Sequence, residues 1–194
     1  MNKNKKTRIE LRDLEESFQL QELDNGIIRI DEEICDYTTT SISRHIDYVI
    51  NSGRKHITFR ITSPGGDVYS SLALYDIILG LNSKGVKTTA IVEGLAASAA
   101  SMVLLQAMDN RYSRPTARFL IHEPRRWAFL ERQKTSDLKD ETQEMVAVTN
   151  VIYEILAKRC KKPIKFIDES IDRRERWLSA NEAKEYGLID KIIN

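Results

Sequence analysis

Along this chain, short apolar runs rich in β-branched residues alternate with stretches whose apolar residues recur every three or four positions. Gly26-Ile-Ile-Arg-Ile30 reads as a strand, and Ile42, Ile46, Val49 and Ile50 then follow helical spacing to a stop near Gly53. Ile57-Thr-Phe-Arg-Ile-Thr62 predicts a second strand, ended by Ser63-Pro-Gly-Gly66. Helical spacing returns with Val68, Leu72, Tyr75 and Leu79 and closes at Gly85. Residues 87–92 predict a third strand, Gly94 a turn, and residues 96–108 a buried helix. Arg118-Phe-Leu-Ile-His122 is a fourth strand. A longer helix is predicted over 136–159, with Leu138, Met145, Val148, Ile152, Ile155 and Leu156 on one stripe, its default reading being the core face. Ser179-Ala-Asn-Glu182 is a capping box opening a short helix that Gly187 ends. Strand–helix alternation of this kind predicts an α/β fold with a largely parallel sheet. No repeat, low-complexity segment or linker interrupts it. Residues 1–24 form a charged N-terminal segment, and residues 25–194 hold the predicted domain.

Composition narrows the function classes. A chain of 194 residues suits one well-packed domain. Its 30 basic and 29 acidic groups leave a formal charge of +1, which gives no global attraction for nucleic acid or an acidic membrane surface. Lys158, Arg159, Lys161, Lys162 and Lys165 do cluster, but at the end of a predicted helix, where the macrodipole favours solvated cations. Cys35 and Cys160 lack metal-ligand spacing, so neither a disulfide scaffold nor a zinc site is expected, and a reducing, cytoplasmic compartment fits. The basic start of the chain is followed by Arg8-Ile-Glu-Leu-Arg-Asp13, which is no apolar signal core. Residues 90–108 approach the length of a membrane span but contain Glu93 among Gly, Ala and Ser, so a strand leading into a buried helix explains them better.

Candidate chemistry lies where strands hand over to helices, since ligands of open α/β sheets collect at the carboxyl ends of strands. Ser63-Pro-Gly-Gly66 carries two consecutive glycines that free the backbone to point an N–H outward, as an oxyanion hole requires; alone it reads equally as a tight turn. Gly94-Leu-Ala-Ala-Ser98-Ala-Ala-Ser101 surrounds a serine with small residues that allow close substrate approach; alone it reads as a helix packed through its Ala and Ser face. His122 ends a strand, a position that by itself is more often structural. A glycine turn, a serine and a histidine at three successive strand ends make the bland readings together less economical.

These motifs, with Leu74-Tyr-Asp76, Arg111-Tyr-Ser-Arg-Pro115, Leu120-Ile-His-Glu-Pro124, Trp177-Leu-Ser-Ala180 and Glu182-Ala-Lys-Glu-Tyr-Gly-Leu-Ile-Asp190, resemble the Clp protease proteolytic subunits in order and spacing over roughly residues 26–193. The resemblance implies a fold of the ClpP/crotonase type, with ββα units, a largely parallel sheet and a long protruding helix. It implies a serine endopeptidase with Ser98 as nucleophile, His122 as general base and the backbone N–H groups of Gly66 and Ala99 as oxyanion donors, needing no metal or organic cofactor. The family's triad Asp falls on Glu175, one methylene longer, with Asp172 as the rival acid and a surface pairing of Glu175 with Arg173, Arg174 or Arg176 as the bland account. The implied partners are a peptide or unfolded protein substrate, further copies in a ring (a heptamer or double heptamer) and an AAA+ unfoldase. Two stretches depart from the family pattern. Pro124-Arg-Arg-Trp-Ala-Phe-Leu-Glu-Arg132 replaces a glycine-rich strand, leaving Trp127, Phe129 and Leu130 as candidate substrate-binding edge, and residues 1–24 are charged where an apolar pore loop is usual. The serine motif also resembles ClpP-like head-maturation proteases of phages. A non-catalytic ring subunit and a crotonase-type acyl-CoA hydratase or isomerase are the alternatives from other classes.

Overall fold

The computed structural model describes residues 3–124, 135–171 and 175–194. A seven-stranded sheet organises them. Strands β1 (Ile27–Ile30), β2 (His56–Ser63), β3 (Lys87–Ala97), β4 (Asn110–Ser113) and β7 (Lys191–Ile192) run parallel in the order β1-β2-β3-β4-β7. Strand β5 (Arg118–His122) pairs in parallel with the far end of β3, and β6 (Glu175–Ser179) pairs antiparallel with β5. The mixed α/β architecture with its mostly parallel sheet is the predicted one.

Helices fill the connections: α1 (Lys3–Asp24), α2 (Asp36–Asn51), α3 (Val68–Leu81), α4 (Ala99–Met102), α5 (Thr135–Cys160), α6 (Ile164–Ile171) and α7 (Ala180–Tyr186). In α2 the expected residues Ile42, Ile46 and Val49 are buried. In α3 the buried apolar residues are Leu74, Ile78 and Leu81, whereas Val68, Leu72 and Tyr75 are only half-buried and Leu79 is exposed. The core face differs from the expected stripe because this helix is apolar on most sides, which blurs the period that identifies a core face. In α5 the stripe is core face over its C-terminal half, through Val148, Ile152, Ile155 and Leu156. Met145 is half-buried, and the Leu138 side chain lies outside the described residues.

One stretch corrects the expectation outright. Gly94 is not a turn; β3 runs through it to Ala97, and the predicted helix over 96–108 shrinks to α4 followed by a single 3₁₀ turn. Residues 89–92 of β3 pair with β4, and 95–97 pair with β5, so the strand serves two partners in succession. Ala96 and Ala97 are buried in that second pairing, opposite Phe119 and Leu120. Small residues therefore mark a crowded strand crossing here and not a helix.

At the ends, α7 has the predicted capping box, with the Ser179 amide donating to Glu182 at 2.8 Å, and Gly187 closes it at φ 98°. Helix α1 is tied down at its C-terminal end. Leu23 joins the core, Glu22 accepts two hydrogen bonds from Arg29 Nε at 2.8 and 3.0 Å, and Tyr48 donates to Asp24 at 2.7 Å. Among the described residues no helix is long and apolar enough to cross a membrane.

Candidate active site

Three chain segments converge at the carboxyl end of β3. Ser98 stands between β3 and α4 with φ 53° and ψ −128°, a conformation that a residue with a Cβ rarely takes. Its backbone is held on both sides: its N–H donates to Leu120 O at 2.9 Å, and its carbonyl accepts from the amides of Ser101 and Met102 at 3.0 and 2.9 Å. The Ser101 hydroxyl donates to Leu120 O at 2.6 Å, a second stitch to β5. A strand running into the first turn of a helix through one residue of positive φ lifts that side chain clear of both elements, a geometry that nucleophile elbows share.

The glycine turn presses against that elbow. A Cβ on Gly65, at φ +90°, would sit 2.5 Å from Ala97 O, 2.8 Å from Ser98 Cβ and 2.9 Å from the Ala99 nitrogen. Only a hydrogen fits there. On the other side Gly65 O accepts from Ile34 N at 2.8 Å and Asp67 N donates to Ile34 O at 2.7 Å, a parallel bridge centred on Gly66. That pattern directs the N–H of Gly66 itself away from Ile34. A Cβ on Gly66, at φ +150°, would run into the Ile34 carbonyl. Asp67 then caps α3 by accepting from Ser70 N at 2.7 Å, and Ser63 Oγ donates to Glu32 O at 2.6 Å, so the turn is fixed at both ends. The Ala99 N–H belongs to the first turn of α4, where helix geometry leaves amides without an intrahelical acceptor.

His122 closes the constellation. It is the last residue of β5, half-buried, and its Nε2 lies 2.7 Å from Ser98 Oγ, while its Nδ1 is sealed from solvent. Across the β5–β6 ladder, His122 is directly opposite Glu175. Residues opposite one another in an antiparallel pair share a sheet face, so the Glu175 side chain starts from the face that carries the imidazole. Arg176 alternates to the other face, where its guanidinium lies 5.3 Å from the centre of the Tyr186 ring. Asp172, the rival acid, lies outside the described residues, as do Arg173, Arg174 and the segment with Trp127, Phe129 and Leu130.

Thus Gly66, the adjacent pair Ser98 and Ala99, and His122, from three separate parts of the sequence, stand on adjoining segments, and Glu175 lies opposite His122 in register. Ile34, Ser63, Gly65 and Leu120 also build the site. Ile34 and Leu120 act through backbone atoms, for which side-chain identity leaves no signal. Among the described residues no group of three or more metal-ligating side chains forms.

The sequence model of the Clp proteases matches residues 15–194. The chain belongs to the Clp protease family. This Clp protease is 36% identical to ATP-dependent Clp protease proteolytic subunit 1 of Protochlamydia amoebophila, over 89% of this chain and 82% of the relative. It is 33% identical to the proteolytic subunit of Porphyromonas gingivalis, over 86% of this chain and 73% of that one. A proteolytic subunit 1 of Salinibacter ruber is 35% identical over 85% and 67% respectively. Within this Clp protease the matched span contains every segment of the Ser98 constellation.

Proposed function

We propose that this chain is a serine endopeptidase in which Ser98 attacks the scissile carbonyl and His122 is the general base. The observation that carries the reading is the 2.7 Å approach of His122 Nε2 to Ser98 Oγ at a strained strand–helix elbow. In this mechanism the hydroxyl proton passes to Nε2 as the Oγ–C bond forms. The tetrahedral oxyanion is received by the N–H groups of Gly66 and Ala99, preorganised by the Ile34 bridge and the first turn of α4. His122 returns the proton to the leaving amine, and water repeats the cycle on the acyl-enzyme. Glu175 orients the imidazole and balances its cation from the adjoining strand. Residues 25–194 hold the peptidase chemistry, and the charged N-terminal segment, residues 1–24, joins that domain at the segment's own C-terminal end through Leu23.

The relatives are named as subunits of ATP-dependent proteases. We take this chain likewise to work as one subunit of a ring, a heptamer or double heptamer, that receives unfolded protein from an AAA+ ATPase in the cytoplasm. An acyl-CoA hydratase of the same superfold would have no use for a serine in contact with an imidazole.

The test is peptide hydrolysis and fluorophosphonate labelling followed by intact mass, for wild type, Ser98→Ala and His122→Ala. Wild type should label once; both variants should fail to label and lose about 10³-fold or more in kcat. Undiminished hydrolysis by Ser98→Ala would falsify the mechanism.

A further inference from the structure

Between the start of β4, strand β7 and the end of α5 lies a cavity of about 560 Å³. Lys158, Arg159 and Lys161 wall it from the helix end, and Lys191 from the strand. The first three belong to the cationic run that reads in the sequence as an ordinary solvated helix end. Two others of that run have partners of their own: Lys162 Nζ lies 5.3 Å from the centre of the Phe166 ring, and Lys165 pairs with Glu169 at 3.7 Å. The cavity's two carboxylates are engaged as well, Asp190 by Arg111 at 2.6 Å, and Asp109 by the Thr88 amide at 2.8 Å and Lys87 at 3.6 Å. Among the described residues no ion pair reaches Lys158, Arg159, Lys161 or Lys191. The carbonyl end of α5 adds only about half a negative charge, so the four cations leave the cavity strongly positive.

Arg159 and Lys161 are also placed as a merely solvated helix end does not require. Arg159 is half-buried; its Nη2 donates to Met108 O at 2.6 Å, and its Nε is sealed from solvent with no acceptor among the described residues. Burial, and next the neighbouring Arg111, push its guanidinium below the ordinary value, as expected of a cation short of counter-charge. Lys161 stands at φ 55°, and among the described residues the non-glycines with positive φ are Ser98 and Lys161. The Lys162 amide donates to Ala157 O at 3.1 Å, which closes α5 in a Schellman motif and puts Lys161 where glycine is the usual residue. A lysine there carries backbone strain that glycine would avoid, and strain of this kind collects at functional positions.

We propose that this cavity binds an oligophosphate chain, held by Lys158, Arg159, Lys161 and Lys191. Cations spread around one cavity match the several charges of linked phosphates, whereas a single carboxylate or sulfate would leave most of them unmatched. A guanidinium fork takes phosphate oxygens in pairs and ammonium groups meet them as point charges. The bound anion also supplies the counter-charge that Arg159 lacks. The first residues of β4 pair with Thr89 and Ala90 near the start of β3, so the cavity lies at the opposite end of that strand from Ser98 and is separate from the peptidase centre.

Isothermal titration of the full chain with sodium tripolyphosphate, ATP and sodium sulfate, in metal-free buffer of low salt, tests the site. Tripolyphosphate should bind once per chain with a Kd of about 100 μM or tighter, and sulfate at least about tenfold more weakly. About 1 M NaCl, where the screening length is roughly 3 Å, should weaken tripolyphosphate at least about tenfold. Equal affinity for ATP identifies the phosphate chain itself as the ligand; an ATP affinity at least about tenfold tighter identifies a nucleotide. Lys161→Glu with Lys191→Glu should weaken tripolyphosphate at least about tenfold while the circular dichroism stays that of wild type, so that lost binding is not lost folding. Lys161→Gly separates charge from backbone: it should melt about 1–3 °C higher than wild type and bind at least about threefold more weakly. No binding by wild type at about 1 mM tripolyphosphate overturns the site, and so does wild-type affinity in either variant.

Discussion

Ser98 and Gly65 form one unit, because the missing Cβ of Gly65 is the space that the Ser98 elbow fills. His122 completes the pair at hydrogen-bond distance, and the acid behind it is then a question of single side chains. Glu175 is placed by register opposite His122, so a carboxylate there can orient the imidazole and stabilise its positive form. Glu175→Gln should reduce kcat by about 10²–10⁴-fold with little change in KM, and Asp172→Asn by less than about threefold. Steady-state kinetics on a fluorogenic peptide decides the matter, and the reverse ranking transfers the role to Asp172. The principal residues of this site are legible in the sequence because each lies at or just after the carboxyl end of a strand in a run of unusual composition, as Gly66, Ser98 and His122 do. Its supports are not: Ile34 and Leu120 act through carbonyl and amide groups common to all residues.

At the scale of elements, legibility follows periodicity. Strands β2 and β5 and helices α2, α5 and α7 are readable because one face is apolar or a cap is explicit. The Gly94–Met108 stretch misleads because alanine and serine suit both a buried helix and a crowded strand, and only pairing with β5 decides between them. Strands β4 and β6 leave no clear signal because Asn-Arg-Tyr-Ser and Glu-Arg-Trp-Leu-Ser are mostly polar; their strand state is imposed by neighbours. The glycine turn before α3 allows a test at this scale. Gly65→Ala would put a methyl group against Ala97 O and the Ala99 nitrogen at positive φ, so the turn or the elbow must move. We expect a loss of about 2–4 kcal/mol in stability and at least about 10²-fold in kcat. Gly53→Ala is the control, with φ +83° and nothing within 4 Å of the added carbon; it should cost about 1 kcal/mol and spare kcat. Chemical denaturation and peptide kinetics read both, and an active Gly65→Ala enzyme would separate the turn from catalysis.

Across the whole molecule, a polar chain links the C-terminal region to the elbow. Arg111 on β4 is only 6% exposed in its side chain, and it donates from Nη2 to Asp190 Oδ1 at 2.6 Å and from Nη1 to Gln106 Oε1 at 2.6 Å and Gly187 O at 2.8 Å. Gln106 in turn donates to Ser101 O at 2.7 Å, three residues beyond Ser98. A buried guanidinium fixes all of these at once, and it is tolerated only while Asp190 is ionised beside it. Because the Asp190 side chain is itself 42% exposed, solvent screens the pair and Arg111 keeps its bonds to Gln106 and Gly187, so Asp190→Asn should cost about 1–3 kcal/mol at pH 7. The sign of the pH dependence follows from the same contact. Burial pushes the Asp190 carboxyl up, but the hydrogen bonds and charge of Arg111 outweigh it and leave the folded value below the ordinary one. Between the two values the unfolded chain binds more protons than the folded one, so acid favours unfolding. The contribution of the pair is complete above the unfolded value, about 3.9, and is lost as pH falls through the folded value. In urea melts, the gap between wild type and Asp190→Asn should be widest at neutral pH and should narrow below about pH 4. A gap that stays constant down to acid unfolding would mean that the Asp190→Asn chain fails through lost packing alone, and that the ion pair does not carry the link between the C-terminal strand and the Ser98 elbow.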